Sequence, residues 1–536
     1  MSSNEEEEKH IPAWPSPAYP QLRGNVLPKL LSFSCAPPFP PPSNSEPFPT
    51  LSETQDYLVS FTESQNLRPR IRTNREVLGV WELPPSLEEY DGWKNQGWLV
   101  VSRQWPAEIE AANAKPSIHV DRFSHVALCS GWYDYPIYTH SVTNFSEALA
   151  QGFIHHAKWY RGPDFYAGKK VVVVGNGNSA NDIAAHLAAL YPEESKTKVW
   201  RSILHKALPI FVSLPDRRIQ DVALIRAYHI DSAAHKVNVE LEDGKILTGV
   251  DYVILGTGYN GYRYPFTHTL RHKLQAQESA EIMRRAEALL ARKELVDSKA
   301  IGERTDISPS HIGKLVFGAE CDEYWSSMDG TSLATLPETS TSSADEDDRW
   351  TPTRVGGLHR QCLLARNPSL ATIGLSVSYT PFVSTDTFSW YVRSIWDGSL
   401  TTALPPPSGP NGGLAARVKD ETDRIVSIRE KRKLTASLEK EIFDKWKKAG
   451  SPHPPPERVP SGAVAYHVLG TDEAAFTKAL RDQVVRVKPW LAATISDWAP
   501  DGHEAVRNGM YNIKYESLLQ AKARRNAQNG SVQARI

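Results

Sequence analysis

Six residues near the middle of the chain, Gly175-Asn176-Gly177-Asn178-Ser179-Ala180, have the types and spacing that cradle a phosphate group. Gly175 permits a tight turn, Gly177 lets backbone approach a pyrophosphate with no Cβ in the way, and Ala180 is small enough for a helix to pack on its strand. Asn178 and Ser179 fall at the start of that helix, where unpaired N–H groups and the positive dipole end favour an anion; Asn181 and Asp182 extend its first turn. Isolated, a G-x-G-x-x-A pattern matches unrelated loops. Here it follows Val171–Val174, apolar on both faces as a central parallel strand must be, and it opens the helical pattern NSANDIAAHLAAL. A second strand, KVWRS (198–202), comes next and completes a βαβ unit.

That second strand selects between nucleotides. An NAD site usually offers a carboxylate at its tip for the ribose 2′-hydroxyl, and an NADP site offers a cation. This one ends Trp200-Arg201-Ser202, with no acid. Arg201 can clamp a 2′-phosphate through two parallel hydrogen bonds while Ser202 donates a third. A surface arginine at a strand end is the alternative. NADPH is the expected ligand of residues 166–268.

The elements around this unit follow from pattern. Residues 1–55 are proline-rich, above all APPFPPPSNSEPFP, and read as extended or irregular. Ser52-Glu53 ahead of Tyr57, Leu58 and Phe61 reads as a short helix. Arg70 to Trp81 and Trp98 to Arg103 read as strands, and HVALCSGWY (125–133) as a buried strand running into a glycine turn. VNVELEDGKIL (237–247) reads as a hairpin turning at Asp243-Gly244. YVILGTGY (252–259) is a buried strand ending on glycine, like 125–133, and SLATIGL (369–375) is one more. Residues 270–300 are helical, TLPETSTSSADEDD (335–348) is a mobile loop, and the alternating charges of 415–449 read as a solvated helix.

Bulk properties exclude several classes. With 61 Lys and Arg against 62 Asp and Glu, no global field exists to draw in nucleic acid or an anionic membrane. Cys35, Cys129, Cys321 and Cys362 form no C-x-x-C and no metal-ligand spacing, so neither a dithiol reductase nor a metal centre is expected. The start MSSNEEEEKH lacks the apolar run of a signal peptide, and no stretch approaches the ~20 apolar residues of a membrane span. A cytoplasmic protein acting on a small molecule is the expectation.

Taken in order along the chain, these segments resemble the flavin-containing monooxygenases, the class B flavoprotein monooxygenases. SPAYPQLRGN (16–25) resembles their Y-x-x-L-x-T-N segment, with Gly24 in place of Thr. FPTLSETQDYLVSF (48–61) resembles their F-P-x-x-x-E-x-x-x-Y-L helix start, and LCSGWYDYP (128–136) their C-T-G-x-Y-x-x-P linker. Residues 151–184 resemble F-x-G-x-x-x-H-x-x-x-Y/F running into G-x-G-N-S-G-x-D-I-A: Gly152, His156 and Tyr160 match, and Ala150 replaces Phe. LGTGY (255–259) resembles A-T-G-Y, and SLATIGLSVSYTPF (369–382) the returning flavin-domain strand.

The resemblance implies an α/β fold of two Rossmann-like, FAD- and NAD(P)-binding domains, the NADPH domain (166–268) inserted in a flavin domain (1–165 and 356–410). An insertion (269–355) and a C-terminal helical extension (411–536) complete the chain. It implies FAD beside NADPH, O₂ as co-substrate, and oxygenation of an N, S or ketone centre through a C4a-(hydro)peroxyflavin, as in N,N-dimethylaniline monooxygenases. Asn25 would then sit at the flavin edge and steady that intermediate; an Asx turn after Gly24 accounts for it equally well. Thr257 and Gly258 would line the crossing between domains, although a strand-ending turn explains them nearly as well. His155 and His156, with no carboxylate nearby in sequence, read as structural.

One departure qualifies this. The family opens with a βαβ unit whose G-x-G-x-x-G receives the FAD pyrophosphate. Only eighteen residues precede Tyr19, and no second G-x-G-x-x-G occurs; such a unit needs about 30 residues. The flavin domain is therefore expected to lack its central strand, and the alternative to a monooxygenase is a non-catalytic NADPH-binding remnant that has lost flavin.

Overall fold

The computed structural model describes residues 16–43, 46–85, 97–105, 117–131, 133–192, 195–203, 214–260, 264–272, 274–292, 308–328, 355–405, 413–428, 430–431, 437, 444, 467–497 and 505–533. The loop expected at 335–348 lies outside them. The architecture is α/β with two Rossmann-like parts, as expected.

Val171 to Val174 form β7 at the centre of a parallel sheet ordered β6 (Ile154–His156), β13 (Tyr252–Leu255), β7, β8 (Val199–Ser202) and β9 (Ile219–Val222). Alternation decides what each face meets. Val171 and Val173 pack with Ala180, Ile183, Ala184 and Leu187 of helix α3 (Asn178–Ala188). Val172 instead packs on an antiparallel meander of β10 (Ile225–Asp231), β11 (Lys236–Leu241) and β12 (Ile246–Val250), through Val237, Val239 and Val250. The hairpin turn at Asp243-Gly244 is where the sequence places it: Gly244 takes φ +82° and its N–H bonds Leu241 O.

A second sheet runs β16 (Trp325–Met328), β15 (Tyr264–Leu270), β1 (Arg75–Glu82), β2 (Trp98–Gln104), β3 (Ser117–Phe123). The strand expected from Arg70 starts five residues later, because Arg68–Arg70 close a 3-10 turn and Asn74 takes φ +54°. The described part of the expected insertion belongs here. Helices α4 (Ala276–Arg292) and α5 (Pro309–Phe317) bury Ile282, Ile312 and Phe317 on Leu78, Trp81 and Leu99, and β16 adds the edge strand.

The third sheet is short: β17 (Leu358–His359), β18 (Leu363–Leu364), β19 (Leu370–Thr372), β4 (Val126–Leu128). Here an expectation fails. The run 125–133 reads as buried, yet only Val126–Leu128 are strand, and Ala127 and Cys129 are exposed. The reason is topological. In the first sheet β13 lies between β6 and β7, whereas β4 pairs with β19 alone among the described strands. Cavities of about 430 and 760 Å³ flank it, both lined by Ala127 and Cys129.

Helix α1 (Leu51–Ser64) begins at a capping box of Thr50 and Glu53. Helix α6 (Pro381–Trp396) packs on α7 (Glu473–Val487). The charged stripe from 415 is not wholly solvated: Arg417 and Glu421 are buried, Arg417 donating to the carbonyls of Pro405 and Ala365, and Glu421 accepting from Gly357 N. Charge alternation marked a helix but not which charges carry loop carbonyls inward. A last helix, α8 (Ala505–Gln533), ends the described chain. No described helix is long and apolar enough to cross a membrane, and all four cysteines are free.

Candidate functional site

The glycine turn opens onto a cleft of about 600 Å³. It is lined by Gly177, Asn178, Ser179 and Asp182, by Tyr19 and the run Leu22 to Val26 with Asn25, and by Gly256, Gly258 and Tyr259. Gly175 has φ +115°, and a Cβ there would lie 2.5 Å from Gly256 O, so two glycine turns cross in contact. Gly177 differs: it has φ −80°, and a Cβ would meet nothing within 4 Å. Space is open in front of the turn. Gly177 is also the N-cap of α3 and has no side chain to cap it, so the first-turn N–H groups are left for a ligand.

These residues fit a dinucleotide pyrophosphate. The structure brings Asn25, Gly177, Asn178, Ser179, Asp182 and Gly258 to one cavity, across more than 230 residues of sequence. Other expected residues stand behind it. Ala180 is buried against Gly256, and Asn181 accepts from Arg201 Nη1 at 2.5 Å. Arg201 also grips Asp221, Nε to Oδ1 at 2.7 Å and Nη2 to Oδ2 at 3.1 Å. Ser202 is buried and donates to Ala223 O, and Thr257 donates to Ile137 O at 2.6 Å, tying the turn to the linker.

His156 is fully committed. Its Nδ1 accepts from Lys158 N at 3.1 Å, so Nε2 carries the proton and donates to Gly258 O at 3.1 Å. Burial pulls its pKa down to about 4, so it is neutral near pH 7 and holds the glycine turn. His155 Nδ1 meets the Tyr166 hydroxyl at 2.9 Å.

Known proteins are similar to part of this chain. The model of the flavin-binding monooxygenase-like family matches residues 25–194. The thiol-specific monooxygenase of Saccharomyces cerevisiae is 28% identical over 250 residues, 46% of this chain and 50% of that protein. Flavin-containing monooxygenase 3 of Canis lupus familiaris is 25% identical, over 43% of this chain and 51% of that one.

Over residues 25–194 the chain is similar to the flavin-binding monooxygenase-like family. It spans about half the length of the curated relatives it matches. Among solved structures of the flavin monooxygenase fold, S-allyl-L-cysteine S-oxygenase from Allium sativum aligns with a TM-score of 0.50 and 16% identity, over 92% of this chain and 84% of that one. Tmm from Pelagibacter sp. strain HTCC7211 aligns equally well at 15% identity, over 92% and 81%. At such identities the likeness concerns the fold.

Several cleft residues carry little signal in the sequence. The Tyr19 hydroxyl donates to Asp182 Oδ2 at 3.0 Å, joining the proline-rich segment to α3; burial, then Asp182, push its pKa far above the usual phenol. Tyr133 and Tyr259, both lining the cleft, meet edge to face at 5.3 Å. The family-like spacing around Tyr19 was the only available signal for the first pair. Nothing in sequence pointed to Lys514 of α8, whose ammonium donates to Asn25 Oδ1.

Proposed function

We propose that this chain is the NADPH-holding part of a flavin-dependent monooxygenase that oxygenates an N, S or ketone centre of a small molecule with O₂. The observation that carries the reading is the cleft itself, lined by both an uncapped helix start and Asn25. In it, the N–H groups at Asn178 and Ser179 hold the pyrophosphate, and Gly177 allows its close approach. Arg201, oriented by Asn181 and Asp221, stands at the β8 tip where a 2′-phosphate distinguishes NADPH from NADH. Asn25 presents its amide to the same cleft, and Tyr133 and Tyr259 restrict water there.

FAD, which accepts hydride in such enzymes, fits less well. The described residues offer one glycine turn over a helix, and it belongs to the NADPH sheet. The equivalent turn after β4, Cys129 to Gly131, has no strand on its open side among the described residues. The same open edge supports a second reading, a nucleotide-binding protein without flavin chemistry.

One preparation separates the two. A purified protein with flavin absorbance, or one that oxidises NADPH once FAD is added, supports the oxygenase. A colourless protein that binds NADPH but never oxidises it with FAD present overturns the oxygenase and leaves the second reading.

A further inference from the structure

Arg201, at the tip of the strand that follows the glycine turn and α3, already has a carboxylate partner in Asp221. Arg23 lines the cleft itself, and a further cation from the far end of the chain, Lys514, reaches the lining residue Asn25. Helix α8 is anchored on the N-terminal segment: Met510 is buried with Leu30 and Val383, and Ser517 and Arg524 both bind Glu46. Lys514 lies one turn beyond Met510, so it points to the same side of the helix. There its ammonium donates to Asn25 Oδ1, and Asn25 shares its cavity with Gly177, Asn178 and Ser179.

The charge at Lys514 is poorly compensated. Its hydrogen-bond partner is a neutral amide, and it forms no ion pair among the described residues. Asp182, already accepting from Tyr19, acts on it only through space. Burial accordingly pulls the ammonium below the usual lysine value, with Asp182 opposing. A half-buried cation facing a neutral group gains from a counter-charge that arrives beside it. A diphosphate seated on the start of α3 brings that charge to the same cavity.

We infer that α8 is a wall of the nucleotide cleft and that Lys514 is a ligand-binding residue for the phosphates of the dinucleotide. The inference rests on the NADPH reading of the cleft. It makes the C-terminal helix a reporter of occupancy: nucleotide binding holds α8 down, and its loss frees the helix.

The test is titration of the full chain with NADPH, followed by nicotinamide fluorescence at low and high salt. Lys514→Gln should weaken binding roughly ten- to hundred-fold, the range for a lost charge-assisted bond, and should flatten its salt dependence. Lys514→Arg, which keeps the charge, should stay within about three-fold. Hydrogen exchange needs no variant: NADP⁺ should protect residues 509–520 of the wild type. Unchanged or tighter binding by Lys514→Gln, or no protection of α8 at saturation, overturns the inference and leaves the NADPH reading standing. A wild type that binds no NADPH overturns both.

Discussion

Arg201 and Asp221 are register partners on the parallel strands β8 and β9, and their side chains close a two-pronged ion pair at 2.7 and 3.1 Å. The carboxylate that an NAD site would carry on its second strand is thus present in space. It comes from the third strand, and it faces the arginine instead of a ribose.

Replacing Asp221 by Asn tests which of the two roles of this pair dominates. Asp221 is half-exposed, and such a pair contributes up to about 1 kcal/mol. If Asp221 competes with the 2′-phosphate, Asp221→Asn tightens NADPH roughly two- to five-fold and leaves NADH unchanged. Weaker NADPH binding by calorimetry would instead make Asp221 the residue that orients Arg201.

The two turn glycines should separate stability from binding. At Gly175, φ +115° and the 2.5 Å approach to Gly256 O make Gly175→Ala a folding defect, on the order of 1–3 kcal/mol in a chemical melt. Gly177 has an ordinary φ and open space before it. Gly177→Ala should melt like the wild type yet lose about ten-fold or more in NADPH affinity, because its methyl occupies the phosphate approach. A wild-type Kd for Gly177→Ala would remove the pyrophosphate from this turn.

His156 makes stability depend on acidity. Its folded pKa of about 4 lies below the unfolded value of 6.5, so the unfolded chain binds more protons between those limits. Stability from this group is complete above pH 6.5 and lost as pH falls toward 4, by up to about 3 kcal/mol. His156→Gln should abolish that part of the slope in urea melts taken from pH 4 to 7.

Asp386 pulls the other way. Burial raises its carboxyl to about 6, against hydrogen bonds from Ser34 N and Oγ at 3.2 and 3.1 Å. The folded state therefore binds the extra proton between 3.8 and 6, and stability from Asp386 declines as pH rises through that window. The two groups oppose each other, so the wild-type profile is flattened. Asp386→Asn should expose the rising His156 slope, and His156→Gln the falling Asp386 slope. Identical profiles for both variants would contradict the assignment.

Much of the β7–α3–β8 unit was legible because its signals are local. Four consecutive valines, two glycines at fixed spacing and a small residue after them specify strand, turn and helix within about a dozen positions, since each choice answers a backbone or packing demand of its near neighbours. The hairpin at Asp243-Gly244 was legible for the same reason. The run 125–133 misled because apolar composition reports what a strand is suited to pair with; whether a neighbour stands on each side is a matter of topology. The buried Arg417 and Glu421 were hidden in a charge pattern that looks the same on a wet face and on one that carries loop carbonyls.

By itself, the sequence determined a strand, glycine turn and helix of the dinucleotide-binding pattern, an arginine at the tip of the next strand, and collinear segments that resemble the flavin-containing monooxygenases. Only the tertiary structure decided what these residues face. It paired Arg201 with Asp221, placed Asn25 in one cavity with the start of α3, and brought Lys514 to Asn25 across 489 positions of sequence. The reason is range: dihedral preference and hydrophobic period act over a few residues, whereas a cleft is made where separately folded segments meet, and charges settle on whichever partners that meeting supplies.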